Sequence, residues 1–132
     1  MKDTTHLRYL QSVTIPDQGY GRLKANTGRL ISFDIYDVSK DGTLGTLFRS
    51  ISDDIGTLCS TKEQAKTFWN SHKVLLRQTQ SARFLTSDND ELELLRMSIS
   101  EFGRYLVFED FVENDILTRY HKGWLIVPQQ NY

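Results

Sequence analysis

His6, His72 and His121 are the chain's three histidines, and histidine is the side chain whose ordinary pKa suits proton transfer near neutrality. His121 has the best company. If residues 104–113 and 116–127 pair as a hairpin around Asn114-Asp115, Asp110 faces Arg119 and Phe108 faces His121. His121, Asp110 and Arg119 then share one face, where an imidazole, a carboxylate and a guanidinium could work on a phosphodiester. His72 falls on the apolar arc of a predicted helix, where a packing histidine is expected. Cys59 is the sole cysteine and has no histidine near it in sequence. No serine sits in a nucleophile-elbow context. The spacings HxxxH and CxxC are absent, so the sequence predicts no metal site and no cofactor.

The second kind of chemistry is charge recognition. The formal net charge is only −1, yet the charges are segregated. Between residues 55 and 87, Lys62, Lys66, Lys73, Arg77 and Arg83 meet one acid, Glu63. Between 88 and 115, Asp88, Asp90, Glu91, Glu93, Glu101, Glu109, Asp110, Glu113 and Asp115 meet only Arg96 and Arg104. On a continuous helix, Lys62, Lys66, Lys73 and Arg77 form a stripe with Trp69 at its border. Such a stripe can hold phosphates while an aromatic ring or an arginine stacks on bases. It can equally be a solvated face, or turn inward toward the acidic segment. The acids Glu109, Asp110 and Glu113, with Tyr120 and Trp124, suit a basic protein partner, because complementary charge steers association and aromatic anchors hold it.

The third candidate is "GYGRLKANTG", residues 19–28. A dinucleotide loop needs G-x-G-x-x-G between a strand and a helix. Here six residues separate Gly21 from Gly28, and a strand pattern follows. Residues 19–38 resemble the cold-shock domain pattern, in which a Gly-aromatic-Gly strand leads through a turn into a strand bearing aromatics. That resemblance implies base stacking by Tyr20, Phe33 and Tyr36. The chain departs from it at Arg22 and Leu23, and Phe33 and Tyr36 have opposite parity on a strand, so they cannot share a face. Arg22, Lys24 and Arg29 remain as a basic turn.

These residues need elements to position them. Residues 6–15 and 28–38 read as strands separated by the Pro16-Asp17-Gln18-Gly19 turn. "TLFRSI" reads as a short strand. A helix is predicted over about 61–78, with Ser60 or Thr61 as cap and Glu63 or Gln64 completing a capping box. A second helix is predicted over about 88–102, where Leu92, Leu95, Ile99 and Phe102 repeat at spacings of three and four. Leu95, Met97 and Ile99 support a competing strand. The C-terminal hairpin completes an α+β domain: an antiparallel sheet with helices on one side.

With 132 residues, 39% hydrophobic and 25% charged, the chain fits one globular domain. It has neither the apolar run of a signal peptide nor that of a membrane span, and the expected setting is cytoplasmic, away from membranes. The leading functional expectation is a non-catalytic protein-binding module of the inhibitor or immunity type, with a basic protein as partner. The second is a nucleic-acid-binding protein using helix 61–78 and the 19–29 turn. The third is a small nuclease-like enzyme.

Overall fold

The computed structural model describes residues 6–16, 30–79, 81–88, 91–100, 103–117 and 123–130. In chain order the elements are β1 (Leu7–Pro16), β2 (Leu30–Val38), β3 (Gly42–Thr43), α1 (Leu44–Arg49), a 3-10 turn (Ile55–Leu58) and β4 (Cys59–Ser60). Then come α2 (Lys62–Ser71), α3 (Lys73–Leu76), β5 (Ser81–Asp88), β6 (Glu91–Ser100), β7 (Gly103–Asp110), β8 (Ile116–Leu117) and β9 (Trp124–Pro128). The result is one large sheet with few helices. The glycine-rich segment 19–28 and Arg29 lie outside the described residues.

The main sheet runs β1-β2-β9-β5-β6-β7, with β4 alongside β5; β3 and β8 make a separate small pair. Two pairings, β5 with β9 and β4 with β5, are parallel. The sheet is therefore mixed, not the antiparallel sheet expected. β9 explains why. Its residues Trp124, Leu125, Ile126 and Val127 are all buried, and an unbroken apolar run suits a central strand covered on both faces. It inserts between β2 and β5 instead of folding back on β7, so the predicted 104–127 hairpin does not form. Asp110 lies opposite Glu93 on β6, and Phe108 lies opposite Leu95.

The predicted helix over 88–102 is also corrected. Residues 91–100 form β6, paired with β5 on one side and β7 on the other. Leu94 and Leu95 are both fully enclosed, on opposite faces. Around Leu94 and Leu95 the strand is buried on both sides, where polar alternation disappears.

Helices cover both faces, not one. On the first face, α1 and the 3-10 turn bring Leu44, Leu47, Phe48 and Leu58 against Tyr36, Leu85, Leu94, Leu125 and Val127. On the second, α2 and α3 bring Ala65, Phe68 and Leu76 against Phe33, Ile35, Phe84, Leu95 and Ile126. Phe33, Phe68 and Phe84 meet edge to face, with centroids 5.4 to 6.4 Å apart. Such pairs add about 0.5–1.5 kcal/mol each beyond their burial.

α2 begins with a complete capping box: the Thr61 hydroxyl accepts from Gln64 N–H, and the Gln64 side chain accepts from Thr61 N–H. The predicted 61–78 helix is not continuous. His72 leaves the helical region at φ −127°, ψ 40°. Its ring packs on Phe68, 5.0 Å between centroids, and its Nε2 lies 2.8 Å from the carbonyl oxygen of Thr14. The tie to β1 holds the side chain where a straight helix would not. Among the described residues, no helix is long and apolar enough to cross a membrane.

Candidate functional site

The predicted acidic surface divides among three places. Successive strand residues point to opposite faces, so Glu109 and Asp110 part company. Glu109 meets Arg96, Oε1 to Nη2 3.2 Å. Asp110 stands opposite Glu93 on the other face, and there Lys62 Nζ lies 3.2 Å from Glu93 Oε2 and 4.9 Å from the Phe108 ring centre. Glu113 accepts from Arg49 through Nε and Nη2, at 2.9 and 2.7 Å. Trp124 is 6% exposed and belongs to the core, so it is not the surface anchor expected. Arg119, Tyr120 and His121 lie outside the described residues, as do Arg22 and Lys24.

The basic stripe is interrupted as well. Lys62 points to Glu93 and Phe108, while Lys66, Lys73 and Arg77 are exposed and Trp69 is half-buried. The break at His72 separates Lys62 and Lys66 from Lys73 and Arg77. Phe33 and Tyr36 are fully buried on opposite faces, so neither is available to stack a base.

What the fold does present is the edge strand β7. Among the described residues, nothing pairs with its outer side. Tyr105 is 52% exposed, Leu106 39% and Phe108 45%. Tyr105 lies on one face and Leu106 and Phe108 on the other, so apolar surface shows on both faces of the edge. Val112 and Ile116 extend this exposed apolar surface beyond the strand, and Glu109, Asp110, Glu113 and Asp115 are exposed along the same stretch.

One face of the same region holds a pair of arginines that the sequence reading passed over. Arg83 on β5 lies directly opposite Arg96 on β6. Arg83 is only 7% exposed. Among the described residues its hydrogen-bond partner is the Ser81 hydroxyl, 3.2 Å from Nη1. The Nε of Arg96 is buried and has no partner. Among the described residues, Glu109 is the carboxylate against these two guanidiniums. Burial, and then Arg96, pull the Arg83 guanidinium below its ordinary pKa, with Glu109 acting the other way. Ser81 and Ser98 stand opposite each other one step along the same face, and Tyr105 lies opposite Ser98. The pair was hidden because 88–102 read as a helix. Only the antiparallel pairing that brings Asp88 opposite Glu91 sets Arg83 against Arg96.

A separate open cleft of about 430 Å³ lies beside α1, lined by residues that include His6, Thr46, Arg49, Ser50 and Glu113. Its opposite charges are already paired: Arg49 holds Glu113 and also donates to the Asp53 carbonyl. Among the described residues, no group of three histidine, cysteine or acidic side chains is placed to hold a metal ion.

No protein-family model matches the chain, and no curated protein and no solved structure matches it either.

Proposed function

We propose that this protein is a binding module of the inhibitor or immunity type, and that its partner, a basic protein, docks an extended segment along β7. The observation that carries the reading is the contrast between the two edges of the sheet. Edge strands are normally blunted by lysine, proline or a bulge. β1 has its register broken between Tyr9 and Gln11 and ends in Pro16. β7 pairs with β6 without a register shift and contains neither proline nor lysine. Its exposed aromatic and aliphatic side chains suit strand addition, in which backbone hydrogen bonds supply affinity and side-chain pockets supply specificity. Asp110 and Asp115 are exposed along this stretch, beside the ion-paired Glu109 and Glu113, and favour a basic partner.

The nucleic-acid reading through helix 61–78 and the 19–29 turn has less support, since Lys62 is turned inward and the stripe is broken at His72. The nuclease-like reading rested on a hairpin register that β7 and β9 do not share.

The test is site-specific photo-crosslinking in the cells that make the protein. A photoreactive residue replaces Phe108 in one variant and Val74, exposed on α3, in another. A discrete protein adduct from position 108, absent from position 74 and lost when Glu109 and Asp110 are changed to lysine, is the expected result. Identical adducts from both positions, or none from 108, would refute it.

A further inference from the structure

We infer that β7 also pairs with β7 of a second copy of this chain, antiparallel about a two-fold axis at Val107. This pairing rests on the same open edge as the proposed docking of a partner, and it gives that edge an occupant while the partner is absent. Tyr105, Leu106 and Phe108 are exposed there, and among the described residues nothing pairs with the outer side of the strand. Residues directly opposite in an antiparallel ladder share a face, and neighbours along a strand do not. A two-fold axis normal to the sheet keeps every side chain on its own face. It must therefore pass through a residue that meets itself, not between two residues.

The strand's own sequence, GRYLVFED over Gly103–Asp110, chooses the residue. With the axis at Val107, Leu106 stands opposite Phe108 of the second copy, Arg104 opposite its Asp110, and Tyr105 opposite its Glu109. Symmetry makes each contact occur twice. On the face of Leu106, Phe108 and Asp110, apolar pairs fill the middle and opposite charges close both ends. Such pairs directly across a ladder stabilise it, and like charges there destabilise it. An axis at Leu106 sets Arg104 opposite Phe108 and carries Asp110 past the start of the other strand. An axis at Phe108 sets Leu106 opposite Asp110 and carries Arg104 past its end. Only the Val107 axis matches charge with charge and apolar with apolar. The bond from Glu109 to Arg96 reaches back to β6 and leaves the outer side of the strand clear. A single-strand seam belongs to the small, transient class of interfaces, so the dimer separates on dilution and yields the edge to a tighter partner.

The experiment is sedimentation equilibrium of the purified full chain over a concentration series. A reversible monomer–dimer equilibrium is expected. Asp110→Arg and Arg104→Asp should each weaken it by about tenfold or more, since two attractive pairs become two repulsive ones. An equimolar mixture of the two variants should regain the original association, because Arg104 and the new arginine of one chain then face the two aspartates of the other. That recovery also shows that both variants fold. Amide exchange in β7 should slow as concentration rises, while β1 stays unchanged. A chain that stays monomeric, a dimer indifferent to both substitutions, or a mixture that fails to recover would each overturn the pairing. A monomeric chain would leave the cellular adduct from position 108 standing, and a dimer without that adduct would do the reverse. A self-adduct is told from a partner by its mass of two chains.

Discussion

Gly123 is a glycine because of what stands against it. The Ser81 carbonyl is backbone and cannot yield cheaply. Gly123→Ala is therefore expected to cost about 1–3 kcal/mol, the range for forced overpacking, and urea denaturation measures it. A cost near zero would mean the β5–β9 contact relaxes. Asp34 poses the opposite problem, a buried carboxylate on a central strand, which accepts from the Ser12 hydroxyl on β1. Ser12→Ala should cost about 1–3 kcal/mol, the range for leaving a buried polar group short of a partner. Cys59 has its pKa pushed up, first by burial and then by Asp54. The folded thiol holds its proton beyond the ordinary value of 9.0, so this contribution to stability is complete below that pH and fades as pH rises through the folded value. Alkylation of Cys59 at pH 8 should be slower in the native chain than in urea, and equal rates would contradict it. The sequence showed such residues only as types. Phe33 and Tyr36 looked like possible stacking rings, and their burial depended on helices covering both faces, which no local pattern near them records.

Local signals worked best where one element's chemistry is self-contained. The start of α2 was legible because a capping box is written within four residues, Thr61 to Gln64. Thr61→Ala should destabilise by about 1 kcal/mol, read as a lower denaturation midpoint with unchanged slope. The end of that helix was not legible, because the break at His72 depends on a carbonyl of β1, far away in sequence. β6 failed for a related reason. Leu94 and Leu95 sit side by side, and a strand buried on both faces loses the alternation that identifies it. Val112, Leu117 and the Asn114-Asp115 turn fitted a hairpin locally, yet Leu117 pairs with Gly42 on β3. The two edges should also differ from the centre: amide exchange is expected to be slowest in β9 and faster in β1 and β7, with uniform protection contradicting this strand order.

The molecule as a whole is two antiparallel units, β1–β2 and β5–β6–β7, joined by a strand from late in the chain. Asp37 pairs with Trp124 on one side of β9, and Ala82 pairs with Trp124 on the other. Fold class and single-domain size were readable from composition and pattern. Strand order was not, because it is set by which apolar run best fills a gap covered on both faces, and that competition is settled in three dimensions. β9 also sets a timetable. Both units are synthesised before residues 124–128, yet neither can cover its inner border until that strand arrives. Until it docks, Phe33, Ile35, Phe84 and Leu85 lack their neighbours from β9, so the two halves of the core can close only as the last strand of the chain is laid between them.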